Sequence, residues 1–173
     1  HIGGMPFSIS FEPTTACNLR CPECPSGLRS FTRPTGNLKT DLFQRVMDEL
    51  GPDLWALTFY FQGEPYINPN CLDMVGIANS KGLYTNTSTN AHFLTEEKAE
   101  ATVRSGLSRL IISLDGTDQE TYSAYRKEGE LAKVIEGAER IVKWKKKLKS
   151  ATPQVVFQFL VVKPNEHQIP EAR

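Results

Sequence analysis

Short apolar stretches of strand length alternate strictly with longer stretches of helical periodicity along the whole chain. Phe7-Ser8-Ile9-Ser10-Phe11 alternates apolar and polar residues as a short strand does, and Glu12-Pro13 ends it. Thr40 or Asp41 can cap a helix that runs to Glu49-Leu50 and stops at Gly51-Pro52. A largely apolar second strand covers 54–61. Asn68-Pro69 then opens a helix on which Cys71, Met74, Val75 and Ala78 share a face, closed by Gly82. A threonine-rich third strand over 83–89 precedes a helix capped by Thr95 and running to Gly106. The fourth strand, 109–114, ends at Asp115-Gly116. Leu131, Val134, Ile135, Ala138, Ile141, Val142 and Leu148 mark one face of a long helix, and a fifth strand spans 154–162.

Alternation of this kind with short connections predicts a parallel sheet with right-handed crossovers, its strands buried on both faces. The expected architecture is α/β, a TIM-like barrel or part of one with about five strands. A closed barrel needs more chain than the 173 residues here, so residues 5–173 are expected to be one domain, incomplete at its C-terminal side. His1 to Gly4 precede Met5 and are read as a remnant without function.

Twenty Lys plus Arg balance twenty Asp plus Glu, so no global field favours nucleic acid or an anionic membrane. No apolar run approaches the roughly 20 residues that span a bilayer, and no leader-like basic-then-apolar segment opens the chain. Neither a membrane span nor export is expected. Three of the four cysteines lie within eight residues, a crowding that suits a metal site in a reducing cytoplasm better than a disulfide framework.

The unusual residues fall where ligands bind in parallel α/β sheets, at the carboxyl ends of the strands. They are the cysteine loop after the first strand, marked as irregular by prolines 22, 25 and 34 and glycines 27 and 36, then Gln62-Gly63-Glu64-Pro65 after the second. Ser88-Thr89-Asn90 stand at the third strand's end, and Ser113 and Asp115 at the fourth's. Cys17-Asn18-Leu19-Arg20-Cys21-Pro22-Glu23-Cys24 offers three soft thiolates and no nearby fourth ligand. A structural zinc site wants four ligands, so this set points to a centre with an open position, such as an iron–sulfur cluster. A zinc knuckle completed by Cys71, His92 or His167 is the alternative, although Cys71 also reads as a small core residue.

The C-x3-C-x2-C loop at Cys17, Cys21 and Cys24, together with the later motifs, resembles the radical S-adenosylmethionine (radical SAM) enzymes. The resemblance implies a partial (β/α)6 barrel and a [4Fe–4S] cluster on these three cysteines, with the fourth iron chelated by S-adenosyl-L-methionine (SAM). It implies that one electron from the reduced cluster cleaves SAM, and that the resulting 5′-deoxyadenosyl radical takes a hydrogen atom from a substrate. Gln62-Gly63-Glu64-Pro65 is similar to the family's Gly-Gly-Glu motif, with Gln in place of the first glycine, which implies SAM-binding roles for Gly63 and Glu64. Ser88 and Asn90, Ser113 and Asp115, and Arg126 resemble further SAM contacts, the last as partner of the SAM carboxylate. Glu23 departs from the aromatic or apolar residue common before the third cysteine.

The Cys-Asn-Leu-Arg-Cys-Pro and Ser-Leu-Asp-Gly-Thr runs are most similar to members carrying a C-terminal cysteine-rich (SPASM) domain. That likeness implies a peptide or protein substrate and an electron donor such as flavodoxin or ferredoxin. Lys143, Lys145, Lys146, Lys147 and Lys149 form the only basic run; on an amphipathic helix it reads as a solvated face, with Trp144 packed over lysine stems.

Overall fold

The computed structural model describes residues 3–173; His1 and Ile2, half of the segment read as a remnant, lie outside them. Five strands form one parallel sheet: β1 (Ser8–Ser10), β2 (Ala56–Thr58), β3 (Tyr84–Thr89), β4 (Arg109–Ser113) and β5 (Gln154–Gln158). The helices are α1 (Pro25–Leu28), α2 (Thr40–Leu50), α3 (Cys71–Ser80), α4 (Glu96–Arg104), α5 (Gln119–Tyr125) and α6 (Leu131–Lys147). The strands lie in sequence order, β1-β2-β3-β4-β5. With every crossover of one hand, that order stacks all helices on a single face, as in a barrel and unlike a doubly wound sheet, where the order reverses.

The core lies between the sheet and this helical layer. Leu57, Leu110 and Ile112 are fully buried against Phe43 and Met47 of α2, Met74, Val75 and Ala78 of α3, Val103 of α4, and Val134 and Ile141 of α6. Phe43 meets Phe11 edge-on with ring centroids 4.9 Å apart. The opposite face was expected to be buried and is so only in part: Ile111 and Ser113 of β4 are buried on it, but polar residues cross it. In a parallel sheet, residues in register point to the same side. The row Ser10, Thr58, Asn86, Arg109 and Gln154 therefore forms a polar belt across all five strands. Asn86 is satisfied within it, donating to the Thr58 hydroxyl at 3.0 Å and to the Leu57 carbonyl at 3.3 Å.

Two strands are shorter than their apolar runs. β2 stops at Thr58 because the chain turns outward, leaving Phe61 74% exposed. β5 stops at Gln158, and the Leu160 amide turns to the Asp115 carboxylate at 2.7 Å. The expected caps fare differently. Thr95 accepts from the Lys98 amide at 3.2 Å, whereas α2 begins at Thr40 behind Lys39 with no side-chain cap.

α3 starts at Cys71 rather than at Asn68-Pro69; the Asn68 side chain donates to the carbonyls of Pro13 and Leu38, at 2.7 and 3.0 Å, and its oxygen accepts from the Asn70 amide at 3.0 Å, a turn that leads into the helix. Cys71, Met74, Val75 and Ala78 do form its buried face. On α6, Val134, Ala138 and Ile141 are buried, but Ile135 and Val142 stand exposed beside Phe157. The lysine run lies beyond them: Lys143 pairs with Glu96 at 2.5 Å, and Lys147 sits 3.9 Å from the Trp144 ring centre.

Candidate functional site

The loop after β1 is pinned at its base before it reaches the cysteines. Thr14 bridges Asn37, the Leu38 amide donates to the Pro13 carbonyl at 2.8 Å, and the Thr15 amide donates to the Gly36 carbonyl at 3.1 Å. Buried Leu19 anchors the loop's middle. The Arg29 guanidinium then ties its two arms together, donating to the carbonyls of Cys17 and Ser26, each at 2.6 Å. Within the loop, Pro25 starts the short helix α1 directly after Cys24, at the position where a missing N–H costs nothing. Gly27 packs on the Cys21 backbone, where a Cβ would collide with the Cys21 carbonyl.

Cys17, Cys21 and Cys24 line one cavity of about 260 Å³ at the carboxyl ends of the strands. None of the four cysteines is in a disulfide. Burial pushes the Cys17 thiol up to about 11 and also raises Cys21, which the nearby Arg126 charge partly offsets. Such thiols are protonated at neutral pH until a metal displaces the proton. The zinc alternative finds no closed ligand set. Cys71 is buried on the apolar face of α3. Both ring nitrogens of His92 are engaged, Nδ1 with the Asn90 carbonyl at 2.9 Å and Nε2 with the Glu130 amide at 2.8 Å. His167 is exposed in the turn Glu166–Gln168. Among the described residues no three His, Cys, Asp or Glu side chains converge tightly enough for a single metal ion.

Gly63, Glu64, Ser88, Asn90, Ser113 and Arg126 line the same cavity as the cysteines. Gly63 takes φ of +77°, and a Cβ there would run into the carbonyl oxygens of Thr14 and Ala16. Only glycine fits both the conformation and the approach. Glu64, 2% exposed, is held by three donors: the Thr89 hydroxyl and the Asn90 amide, each at 2.7 Å, and the Tyr66 amide at 3.3 Å. Burial nevertheless raises its carboxyl to about 7, against the pull of those donors. The Asn90 side chain donates to Asn18 at 2.8 Å and lies 3.8 Å from the Cys17 sulfur.

Asp115 alone of the expected set is outside the cavity. It is fully buried, and its oxygens accept from Arg126 Nε at 2.5 Å and from the Leu160 amide at 2.7 Å. Burial opposes the Arg126 charge, but Asp115 and the Cys21 sulfur outweigh it and hold the guanidinium protonated. Asp115 thus stands behind Arg126, whose Nη1 reaches to 3.9 Å from Cys21. α5 sets Arg126 at its C-terminal end and was not anticipated. Its signal was Asp118, which caps the helix by accepting from the Thr121 amide at 2.8 Å.

Sequence reasoning passed over Tyr60 and Gln158 and gave Gln62 no role, yet all three line the cavity. Gln158 ends β5, opposite Ser113, so the strand-end rule could have found it. Gln62 was read only as a departure from a glycine.

The chain matches the radical SAM superfamily over residues 11–169. It is 31% identical to the AdoMet-dependent heme synthase of Methanosarcina barkeri over 121 residues, 70% of this chain and 34% of that protein. It is 34% identical to the PqqA peptide cyclase of Rhodopseudomonas palustris over 116 residues, 66% of this chain and 30% of the other. A tungsten-containing aldehyde ferredoxin oxidoreductase cofactor-modifying protein of Pyrococcus furiosus is 29% identical over 168 residues, 94% of this chain and 46% of its own length.

The chain therefore spans between about a third and a half of these curated relatives. Among solved structures, anSMEcpe with bound AdoMet superposes with a TM-score of 0.65 at 22% identity, covering 88% of this chain and 43% of the other. BtrN in complex with AdoMet and 2-DOIA gives 0.61 at 21% identity, covering 90% and 57%. A five-stranded parallel sheet in barrel order, a three-cysteine loop after its first strand, and a match running through nearly the whole chain lead to one conclusion: the chain belongs to the radical SAM superfamily.

Proposed function

We propose that this chain is the core of an enzyme that binds a [4Fe–4S] cluster on Cys17, Cys21 and Cys24 and SAM in the adjoining cavity. The observation that carries the reading is the gathering of three loop thiols with Glu64, Asn90, Ser113 and Arg126 around one space, from four different strand ends. The donor set fits the group: three soft ligands too spread for one metal ion, with no fourth cysteine near them. When bound, the cluster and SAM together supply a 5′-deoxyadenosyl radical that removes a hydrogen atom from the substrate.

The chain's own residues bind, orient and exclude. Arg126, aimed by Asp115 through Nε, would turn the remaining N–H bonds of its guanidinium to the SAM carboxylate, a charge-assisted contact. Glu64 and the Gly63 main chain would receive the methionine ammonium, and Ser88, Asn90 and Ser113, which line the same cavity, would supply neutral hydrogen bonds beside it. Asp115 acts through Arg126 rather than by touching SAM. We infer a peptide or protein substrate, supported by likeness to relatives named peptide cyclase and mycofactocin maturase, and a reductant such as flavodoxin or ferredoxin. No helix among the described residues is long and apolar enough to cross a membrane. The reducing compartment that free thiols favour is the cytoplasm we assign.

Anaerobic reconstitution with iron and sulfide tests the reading. A brown protein that converts SAM to 5′-deoxyadenosine with a reductant is expected, and Cys21→Ala should lose both properties. Stoichiometric tight zinc without iron uptake would overturn it.

A further inference from the structure

We infer that the Gln62 side-chain amide donates a hydrogen bond to the Cys24 sulfur once that sulfur ligates the cluster, and thereby raises the cluster's reduction potential; this rests on the cluster reading above. Gln62 Oε1 lies 3.3 Å from Cys24 Sγ and 3.4 Å from the Ser26 hydroxyl. With Cys24 as a free thiol, the S–H donates to that oxygen. A ligating thiolate has no proton and can only accept. A half-turn of the amide exchanges Oε1 and Nε2 at the same place, since the two ends have the same shape. One N–H then meets Cys24 Sγ, and the other meets Ser26 Oγ.

The surroundings hold the amide in position for this. Ser26 is fully buried and its oxygen already accepts from the Gly63 amide at 2.8 Å, which leaves a lone pair for Gln62. The Gln62 main-chain amide donates to Glu12 at 3.0 Å. Gly63, the next residue, is wedged against the Thr14 and Ala16 carbonyls. Backbone and side chain of Gln62 are thus fixed from separate segments, as the supporting groups around a metal ligand must be.

The other two sulfurs have donors of their own. Cys17 accepts from the Leu19 amide at 3.4 Å, and Cys21 faces Arg126 Nη1 at 3.9 Å. Of the side-chain hydrogen-bond contacts to the three sulfurs, that of Gln62 is the shortest, and it completes the set at Cys24. Hydrogen bonds to cluster sulfurs draw off negative charge and favour the reduced state. A glycine at position 62 has no side chain with which to do this.

The test uses the parent chain, Gln62→Leu and Gln62→Gly, each reconstituted anaerobically without SAM. Iron and sulfide are quantified, and the midpoint is read by redox titration followed by electron paramagnetic resonance. Equal iron content with a midpoint shifted to more negative potential in both variants is expected. An unchanged or more positive midpoint at equal iron overturns the inference. Loss of iron uptake in both variants also overturns it, because Gln62 would then hold the loop rather than tune the cluster. A parent chain that takes up no iron refutes the cluster reading itself, a failure seen before any variant is compared.

Discussion

Glu64→Gln should abolish a loss of stability with rising pH that the parent's buried carboxyl imposes at the heart of the site. Burial lifts the Glu64 carboxyl from 4.5 to about 7 in the folded protein, even with Asn90, Thr89 and Tyr66 donating to it. A carboxylate raised on folding binds more protons in the folded than in the unfolded state, so its contribution falls as pH rises. Its full cost is absent below 4.5, accumulates between there and about 7, and is complete above. At about 1.4 kcal/mol per pH unit the cost is about 3 kcal/mol, most of which falls between pH 5 and 8.

Glutamine keeps the shape and cannot ionise. Urea unfolding of the cluster-free chain, anaerobic and with thiols reduced, gives the stability of both proteins at pH 5 and 8. The variant should gain about 2–3 kcal/mol on the parent over that range. Burial also lowers the His92 pKa, but that residue is common to both chains and cancels in the difference. Parallel curves would show that the three donors keep Glu64 ionised throughout and would refute the argument. SAM, whose ammonium we place beside Glu64, should flatten the parent's slope in the loaded protein.

Asp115→Asn removes the carboxylate that pairs with a guanidinium that burial already disfavours, and should cost about 3 kcal/mol in urea unfolding. Gly63→Ala should cost on the order of 3 kcal/mol, because the left-handed conformation and the Thr14 and Ala16 carbonyls both reject a Cβ. Gly76→Ala in α3, where a Cβ meets open space, should be neutral or stabilising by about 0.5–1 kcal/mol; thermal melts compare the two. Cys71→Ala should leave iron uptake intact, unlike Cys21→Ala, and a matching loss of iron would place Cys71 among the ligands.

Local and periodic features were legible in the sequence. The apolar face at Cys71, Met74, Val75 and Ala78, the Thr95 cap and the alternation of strands and helices along the chain depend on residues close in sequence, so spacing reveals them. The short helix α5 went unread although Asp118 announces it, because Tyr122 is its one buried residue and seven residues give no period. Apolar runs overstated β2 and β5, since an apolar residue marks neither a ladder hydrogen bond nor burial by itself: Trp55, Phe61, Leu160 and Val161 all stand exposed beyond the strands.

At the site, the residue types and their places at strand ends were readable from the chain alone, because a parallel sheet sends every strand's carboxyl end to one rim. Which of those groups face the cavity was not. Asp115 and Ser113 are two residues apart, yet one lines the space while the other stands behind Arg126, eleven positions on. Gln62 and Cys24 meet across 38 residues, a contact made only when two strand-end loops close on each other. The sequence by itself determined a parallel α/β core with a soft-metal loop on its rim, because periodicity and ligand spacing are properties of neighbours. The tertiary structure alone decided which polar groups meet the sulfurs and which serve as their supports, because those pairings join segments that share no local pattern.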